Sequence, residues 1–565
     1  MPTNLMGPFV VMEDGTLVCV NHGAVHRSMD GGKTWSSKTI LDNTRFVDRD
    51  ERAIIKTREG TIIFAFMNDK ERAYGKENKG KWGEGDIADW ILPCYTIRST
   101  DGGLTWSEPL LFQRKWCGAL RCMIQLKSGR IVLVGQSVIP WSHTTLTYVS
   151  DDQGQSWKAS NEIHIGNANS HDHDGAMEAT ILERHDESIY MLIRTTTGFL
   201  HESLSTDGGL TWSAPKPTLI KNSHCCATMT RLSDGRISML WNTTPVTAGA
   251  DIYGSREELS IAFSDDDAKS WSQPVVVAAR YSKEGDPWVN NQVSYPYLCE
   301  VKPGVFWITS IFGSLRMTIN AKDIVIPKSG DDEQKKRIVL FGDSTTASRG
   351  GVTVYAQLLQ NRVRENQWGV SIINSSVPSS TTSEVRDNFQ ERVLNHRPDL
   401  VVIQFGINDS AIDVWKNPPA TTPRVSEANY EANLRWMVRQ LKEKKIPTIL
   451  MTTNPLYWTD KLKELYGKPP YRPEDPKSFT DTSLRRYNGI VRNVAQSENV
   501  TLVDVLQHYD DAAKQDFQKV NDWLLDGMHP NSQGHKRVDE LLFPQIEKKI
   551  AFPKVDIKNK LVPAN

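Results

Sequence analysis

Neither sign of charge prevails in this sequence, and no apolar run is long. Lys and Arg number 67 against 68 Asp and Glu, a formal net charge of −1 over 565 residues. Without a basic excess there is no electrostatic footprint for nucleic acid, and without a lysine-rich run none for a membrane surface. No apolar stretch nears the roughly 20 residues of a membrane-spanning helix. The opening Met1-Pro-Thr-Asn-Leu5 has no charged segment followed by an apolar one. That leaves a cytosolic protein, or a secreted or periplasmic one whose export signal has been removed. Cysteines are few: seven, all before residue 300. Their odd number and unpaired spacing suggest neither a disulfide framework nor a zinc site, and they read as small buried hydrophobes. No cofactor and no metal are expected, and the composition does not speak to oligomeric state.

What is present fills a large core. Apolar residues make up 39% of the chain. At roughly 100–200 residues per domain, two or more domains are expected. The first half carries a repeat. The pattern Ser-x-Asp-x-Gly-x-Thr/Ser-Trp occurs at Ser28–Trp35, Ser99–Trp106, Ser150–Trp157, Ser205–Trp212 and Ser264–Trp271. Ala268 stands for Gly in the last copy. Successive copies begin 71, 51, 55 and 59 residues apart. A second signal recurs at Asp14-Gly15, Glu59-Gly60, Ser128-Gly129 and Asp234-Gly235, pairs that mark tight hairpins between β-rich runs. In the first pattern the Asp caps backbone N–H groups, the Gly takes a positive φ and the Trp packs over the turn, which is a folding device. Units of about 50 residues with several strands each predict a β-propeller.

After Asn320 the period changes. A polar linker over 326–336 precedes a strand at Arg337–Phe341. Further strands are expected at Leu400–Phe405, Ile446–Met451 and Thr501–Val505, with a helix over Tyr430–Lys445. The alternation predicts a parallel sheet with helices on both faces. The domains read as 1–325, 337–552 and a tail, 553–565.

Gly342-Asp343-Ser344 follows the first of these strands, at the carboxyl edge where open α/β sheets place their sites. Serine needs a base at neutral pH, and Asp526-Gly-Met-His529-Pro offers one with its orienter. Gly406-Ile-Asn408-Asp409 follows the buried strand that includes Gln404, and Asn408 can donate to a developing oxyanion. This set resembles the SGNH (GDSL-type) hydrolases over about 210 residues. The resemblance implies Ser344 as nucleophile, His529 as base and Asp526 as orienter. Asn408 and the Ser344 N–H would line the oxyanion hole. Where the family has Asn-x-Gly-Val-x-Gly, this chain has Asn374-Ser-Ser-Val-Pro-Ser379, so Ser379 would offer the backbone N–H. Gly342-Asp-Ser-Thr-Thr346 is more similar to carbohydrate O-acetylesterases than to lipases.

The five boxes are similar to the aspartate boxes (BNR repeats) of the sialidase superfamily, which implies a six-bladed propeller whose sixth blade, near Val293–Ile319, lacks its box. In that family a Tyr activated by a Glu attacks the sugar, because an anomeric carbon bearing a carboxylate repels a carboxylate nucleophile. Three Arg hold the substrate carboxylate. The resemblance implies Tyr295 as nucleophile, Glu178 as its base, and Arg194 and Arg256 as clamp residues, with Asp86 or Asp89 as acid/base. At the first clamp position the alignment puts Asp50, flanked by Arg49 and Arg52, and a small shift would let one of these two serve as the clamp arginine. His171 and His173 read as loop residues on the active face or as a metal pair.

Together these features predict a glycan-degrading enzyme. Its C-terminal esterase would remove O-acyl groups, acetyl foremost, and its propeller would be an exo-glycosidase with sialic acid as leading substrate. A single-activity esterase with a non-catalytic glycan-binding propeller stays open, as does a lyase or another glycosidase. The expected partner is a carbohydrate, with no nucleic acid and no membrane.

Overall fold

The structure is a computed structural model that describes residues 1–74, 90–139, 142–165, 174–243, 256–280, 292–326, 336–349, 352–366, 368–553 and 562–563. These divide into two compact units, one holding the described residues to 326 with 562–563, the other those of 336–553.

Six antiparallel sheets in chain order make the first unit a six-bladed β-propeller. The second strands, such as Ile62–Met67, Ile189–Arg194 and Ile237–Trp241, are continuously buried. Neighbouring blades cover both of their faces, which is why they read as mostly apolar runs rather than alternating ones. Val18, Val20 and Val25 of the first blade pack with Ile62, Phe64 and Phe66 of the second. Outer strands such as Ser36–Thr39 are exposed and polar. The sixth blade has three strands, Ser294–Lys302, Val305–Phe312 and Arg316–Asn320, and no box. Two residues of the expected tail, Val562–Pro563, pair in parallel with Val275–Ala279 of the fifth blade. The ring is closed by the first blade against the sixth. Phe9 meets Trp307 edge-on at 5.4 Å, the Gly7 N–H donates to Thr309 Oγ1 at 3.1 Å, and the Met1 amino group donates to the Arg316 carbonyl at 3.3 Å. Gly32 is needed at this seam: a Cβ there would lie 2.3 Å from the Trp307 ring.

Each box folds as its residue types demand. In the first, Asp30 Oδ1 accepts from Ser28 Oγ and from the Lys33 and Thr34 N–H groups at 2.8–3.0 Å, and Oδ2 accepts from Thr34 Oγ1 at 2.7 Å. The Trp35 indole donates to the Gly32 carbonyl at 2.9 Å. Ala268 takes a φ of +60° in the fifth copy, where Gly32, Gly103, Gly154 and Gly209 take values between +79° and +90° in the others.

These turns make stability depend on acid. Hydrogen bonds from the box's own Thr or Ser hold Asp30, Asp101 and Asp266 down at about 2. Burial pulls Asp207 upward, but the same kind of donors outweigh it and leave it at about 2. A depressed carboxylate stabilises the fold above its unfolded value of about 3.9 and loses that contribution as pH falls through the folded value. The thermal midpoint is therefore expected to drop between about pH 4 and pH 2. Asp101→Asn with Asp207→Asn should flatten that decline, and calorimetric slopes that match the wild type would refute the attribution.

The second unit is a five-stranded parallel sheet in the order Val370–Asn374, Lys336–Gly342, Leu400–Gln404, Thr448–Met451, Thr501–Val503. Tyr355–Glu365, Val505–Gln515 and Ser532–Glu547 pack on one face, Glu427–Glu443 and Leu484–Ser497 on the other. This is the helix-covered parallel sheet that the alternation of strands and helices predicts. Element boundaries differ from expectation by one to three residues, and for two of them the cause is a helix cap. The last strand stops at Val503 because Asp504 accepts from the Gln507 N–H and caps a helix from Val505. The helix expected from Tyr430 starts at Glu427, capped by Ser426.

Candidate active sites

In the α/β unit the carboxyl ends of the strands bring four separate stretches to one edge. Ser344 is half-buried in the turn after Lys336–Gly342, a turn closed by the Thr346 and Ala347 N–H groups on the Asp343 carbonyl at 3.1 and 2.9 Å. Its Oγ lies 3.0 Å from His529 Nε2, and His529 Nδ1 lies 2.8 Å from Asp526 Oδ2. Asp526 Oδ1 accepts the His529 and Met528 N–H groups at 2.8 and 3.0 Å. Burial would raise the Asp526 carboxyl, but the His529 ring and these N–H groups outweigh it and hold the group well below the usual carboxylate range. An ionised carboxylate only accepts, so Nδ1 carries a proton, and in the neutral ring Nε2 then faces the serine hydroxyl with a lone pair. Such a relay can move a proton off Ser344.

Asn408 sits in the one-turn helix Ile407–Ser410, next along the same edge. Its Nδ2 donates to the Ser380 carbonyl at 3.2 Å, and its Oδ1 accepts from Arg424 Nη1 at 3.2 Å. Ser379 is exposed at a φ of +64°, a left-handed conformation that favours glycine. Burial raises the neighbouring Asp343 and Asp409 carboxyls, the latter to about 7. A cavity of about 30 Å³ lies beside Asn408, walled by Ile407, Leu456, Tyr471, Phe479 and Met528.

The propeller gathers a second constellation. Tyr295, at the start of the sixth blade's first strand, donates to Glu178 Oε1 at 2.8 Å. Glu178 lies in a bulge of the fourth blade's first strand, where the register shifts between Met177 and Thr180. Arg194 Nη1 reaches both Glu178 Oε2 and the Tyr295 hydroxyl at 2.6 Å, and its Nη2 is 3.1 Å from His224 Nε2. Arg256 donates to the His224 carbonyl. Glu178, His224 and Tyr295 have φ of +43°, +53° and +60°. Three non-glycine residues in one cluster thus hold a left-handed backbone, the kind of strain that collects at functional sites. Burial drives the Tyr295 phenol well above its ordinary value, opposed by Arg194 and reinforced by Glu178. Burial would also raise Glu178, but Arg194 and the Tyr295 hydroxyl keep it below the usual range. The phenol is thus neutral, with an ionised acceptor in contact.

The expected first clamp arginine is not supplied by Arg49 or Arg52. Arg52 is fully buried on Asp48 Oδ2 at 2.9 Å and Asn21 Oδ1 at 2.7 Å, and Arg49 pairs with Asp69 at 3.0 Å and Glu51 at 3.7 Å. Nearby acids claim both guanidinium groups. A third cation comes instead from Arg121, centred 5.1 Å from the Tyr295 ring and 4.5 Å from that of Tyr297. Arg121 and His224 were not singled out in the sequence. Their signal is positional: each stands just ahead of the first strand of its blade, Met123–Gln125 and Thr228–Arg231. Asp86, Asp89, His171 and His173 lie outside the described residues. Among the described residues no group of three or more His, Cys, Asp or Glu is placed to hold a metal ion.

The chain thus carries a Tyr–Glu–Arg cluster on a propeller and a Ser–His–Asp relay on a parallel sheet. Residues 21–308 match the BNR repeat-like domain family and residues 340–537 the GDSL-like Lipase/Acylhydrolase family, and the chain belongs to both. It is 30% identical over 216 residues to the uncharacterized lipoprotein YqeF of Bacillus subtilis (strain 168), covering 36% of this chain and 86% of that one. It is 28% identical over 172 residues to an acetylxylan esterase of Geobacillus stearothermophilus, 30% of this chain and 68% of the other. Similarity to a sialidase of Micromonospora viridifaciens is 23% identity over 273 residues, 43% of this chain and 39% of that enzyme.

Proposed function

We propose that the α/β unit is a serine esterase that removes short O-acyl groups, acetyl foremost, from carbohydrate. The observation that carries this reading is the unbroken relay from Ser344 Oγ through His529 to Asp526, with contacts of 3.0 and 2.8 Å. Ser344 attacks the acyl carbon while His529 takes its proton. The oxyanion is met by the Ser344 N–H, Asn408 Nδ2 and, from its left-handed turn, the Ser379 N–H. His529 passes the proton to the departing sugar oxygen, and water releases the acid from the acyl-enzyme by the same steps in reverse. The acetylxylan esterase among the relatives supports an acetylated sugar. Acetate release from acetylated xylo-oligosaccharides should outpace hydrolysis of p-nitrophenyl palmitate. A preference for the long chain would overturn the reading.

A second activity is favoured by the 2.8 Å contact of Tyr295 with Glu178. In this reading the propeller is an exo-glycosidase with Tyr295 as nucleophile, Glu178 as its base, and Arg194, Arg256 and Arg121 providing positive charge for an acidic sugar. Sialic acid is the leading substrate. Deacylation by one unit would then expose sugar for the other.

A further inference from the structure

We infer that Arg424 is a positioning residue that fixes which edge of the Asn408 amide faces the reacting acyl group; the inference rests on the esterase reading above. A carboxamide can turn over, exchanging its N–H edge for its oxygen, and the two forms have nearly the same shape. With the N–H edge presented, Asn408 stabilises an oxyanion; with the oxygen presented, it repels one. The chemistry of its neighbours selects the first form. A guanidinium has five donors and no acceptor, so the atom 3.2 Å from Arg424 Nη1 must be Oδ1. The Ser380 carbonyl only accepts, so the atom 3.2 Å from it must be Nδ2. One Nδ2 hydrogen goes to Ser380, and the second is left for the substrate.

Arg424 is itself held fast. Its Nε contacts both Asp413 carboxylate oxygens at 3.0 and 3.1 Å, and Nη2 contacts Oδ1 at 2.8 Å. This fork-on-carboxylate geometry restricts rotation of the guanidinium. Asp413 is buried and also pairs with Lys416 at 2.8 Å. The backbone is tied as well: the Arg424 N–H donates to the Ala411 carbonyl at 3.0 Å and the Val425 N–H to the Asp409 carbonyl at 3.1 Å. These bonds bind the segment before helix Glu427–Glu443 to the residues directly after Asn408. Asp413, Arg424 and Asn408 thus form a chain that ends on one amide oxygen.

The test is a double-mutant cycle read on p-nitrophenyl acetate. Arg424→Met should lower kcat about 10–100-fold with little change in KM, less than the loss of the whole donor in Asn408→Ala. A boronic acid that adds to the serine as a tetrahedral mimic should lose affinity by a similar factor. In the Asn408→Ala background, Arg424→Met should change kcat by less than about twofold, because the amide it orients is gone. Asp413→Asn with Arg424→Met, which removes the carboxylate left without its arginine, should give the same kcat as Arg424→Met alone and guards against a folding defect. A wild-type kcat in Arg424→Met, or an equal drop in both backgrounds, overturns the role. Failure of the esterase reading would show separately, as full activity in Ser344→Ala.

Discussion

Ser344→Ala is expected to abolish ester hydrolysis while the α/β unit stays folded. The loss should be on the order of 10⁴–10⁶-fold in kcat, the scale for removing a serine that acts with its histidine as one unit. The side chain sits in a turn after the strand, and its hydroxyl contacts His529 at 3.0 Å. Removing one oxygen there disturbs no core residue. Asp526 adds no acid limb to the pH profile of kcat/KM in the ordinary carboxylate range, because its hydrogen-bond partners outweigh its burial and hold it well below that range. Hydrolysis of p-nitrophenyl acetate by Ser344→Ala at the wild-type rate would remove Ser344 from the mechanism.

Tyr295→Phe should eliminate cleavage of an arylsialoside, by on the order of 10³-fold or more, and leave acetate release untouched. The phenol is buried and neutral, so attack needs the Glu178 carboxylate that touches it at 2.8 Å. Phenylalanine keeps the ring among Arg121, Arg194 and Arg256 and deletes only the reacting oxygen. Glu178→Gln should lose activity with it, since an amide cannot take the phenol proton. A wild-type protein inert on sialosides and on other acidic and neutral glycosides would make the propeller a binding module and leave the esterase as the chain's one enzyme.

The fold was legible where a residue type is bound to a local geometry. Each box needs its Asp, its turn residue and its Trp within eight positions, so a short window shows it. The central strands were visible because both faces are buried, as at Leu400–Gln404. Val370–Asn374 was not singled out: it is an edge strand, only Val370 in it is buried, and its apolar signal is correspondingly thin. The relay residues were readable as short motifs beside strands and turns. The propeller cluster has no motif of its own. Glu178 and Tyr295 stand 117 positions apart, and only the turning of successive blades joins them. Arg49 and Arg52 show where charge alone misleads, since Asp48 and Asp69 engage them first. Arg424 lies in a loop whose partner residues precede it by 11 and 16 positions, a spacing that no helix or hairpin rule flags.

The seam at Phe9 and Trp307 sets a timetable for biosynthesis. Nearly 300 residues separate the two rings, and at about 5–20 residues per second a ribosome needs on the order of 15–60 s to go from one to the other. Throughout that interval the first blade has emerged without the neighbour that covers Phe9, Leu17 and Cys19. Neighbouring blades can pack as they emerge, as the first and second do through Val18, Val20, Phe64 and Phe66, but this one seam stays open until the sixth blade leaves the exit tunnel. Chains cut short within Val305–Asn320 should therefore accumulate as aggregates or chaperone-bound species, whereas chains cut within the α/β unit should still yield a closed ring.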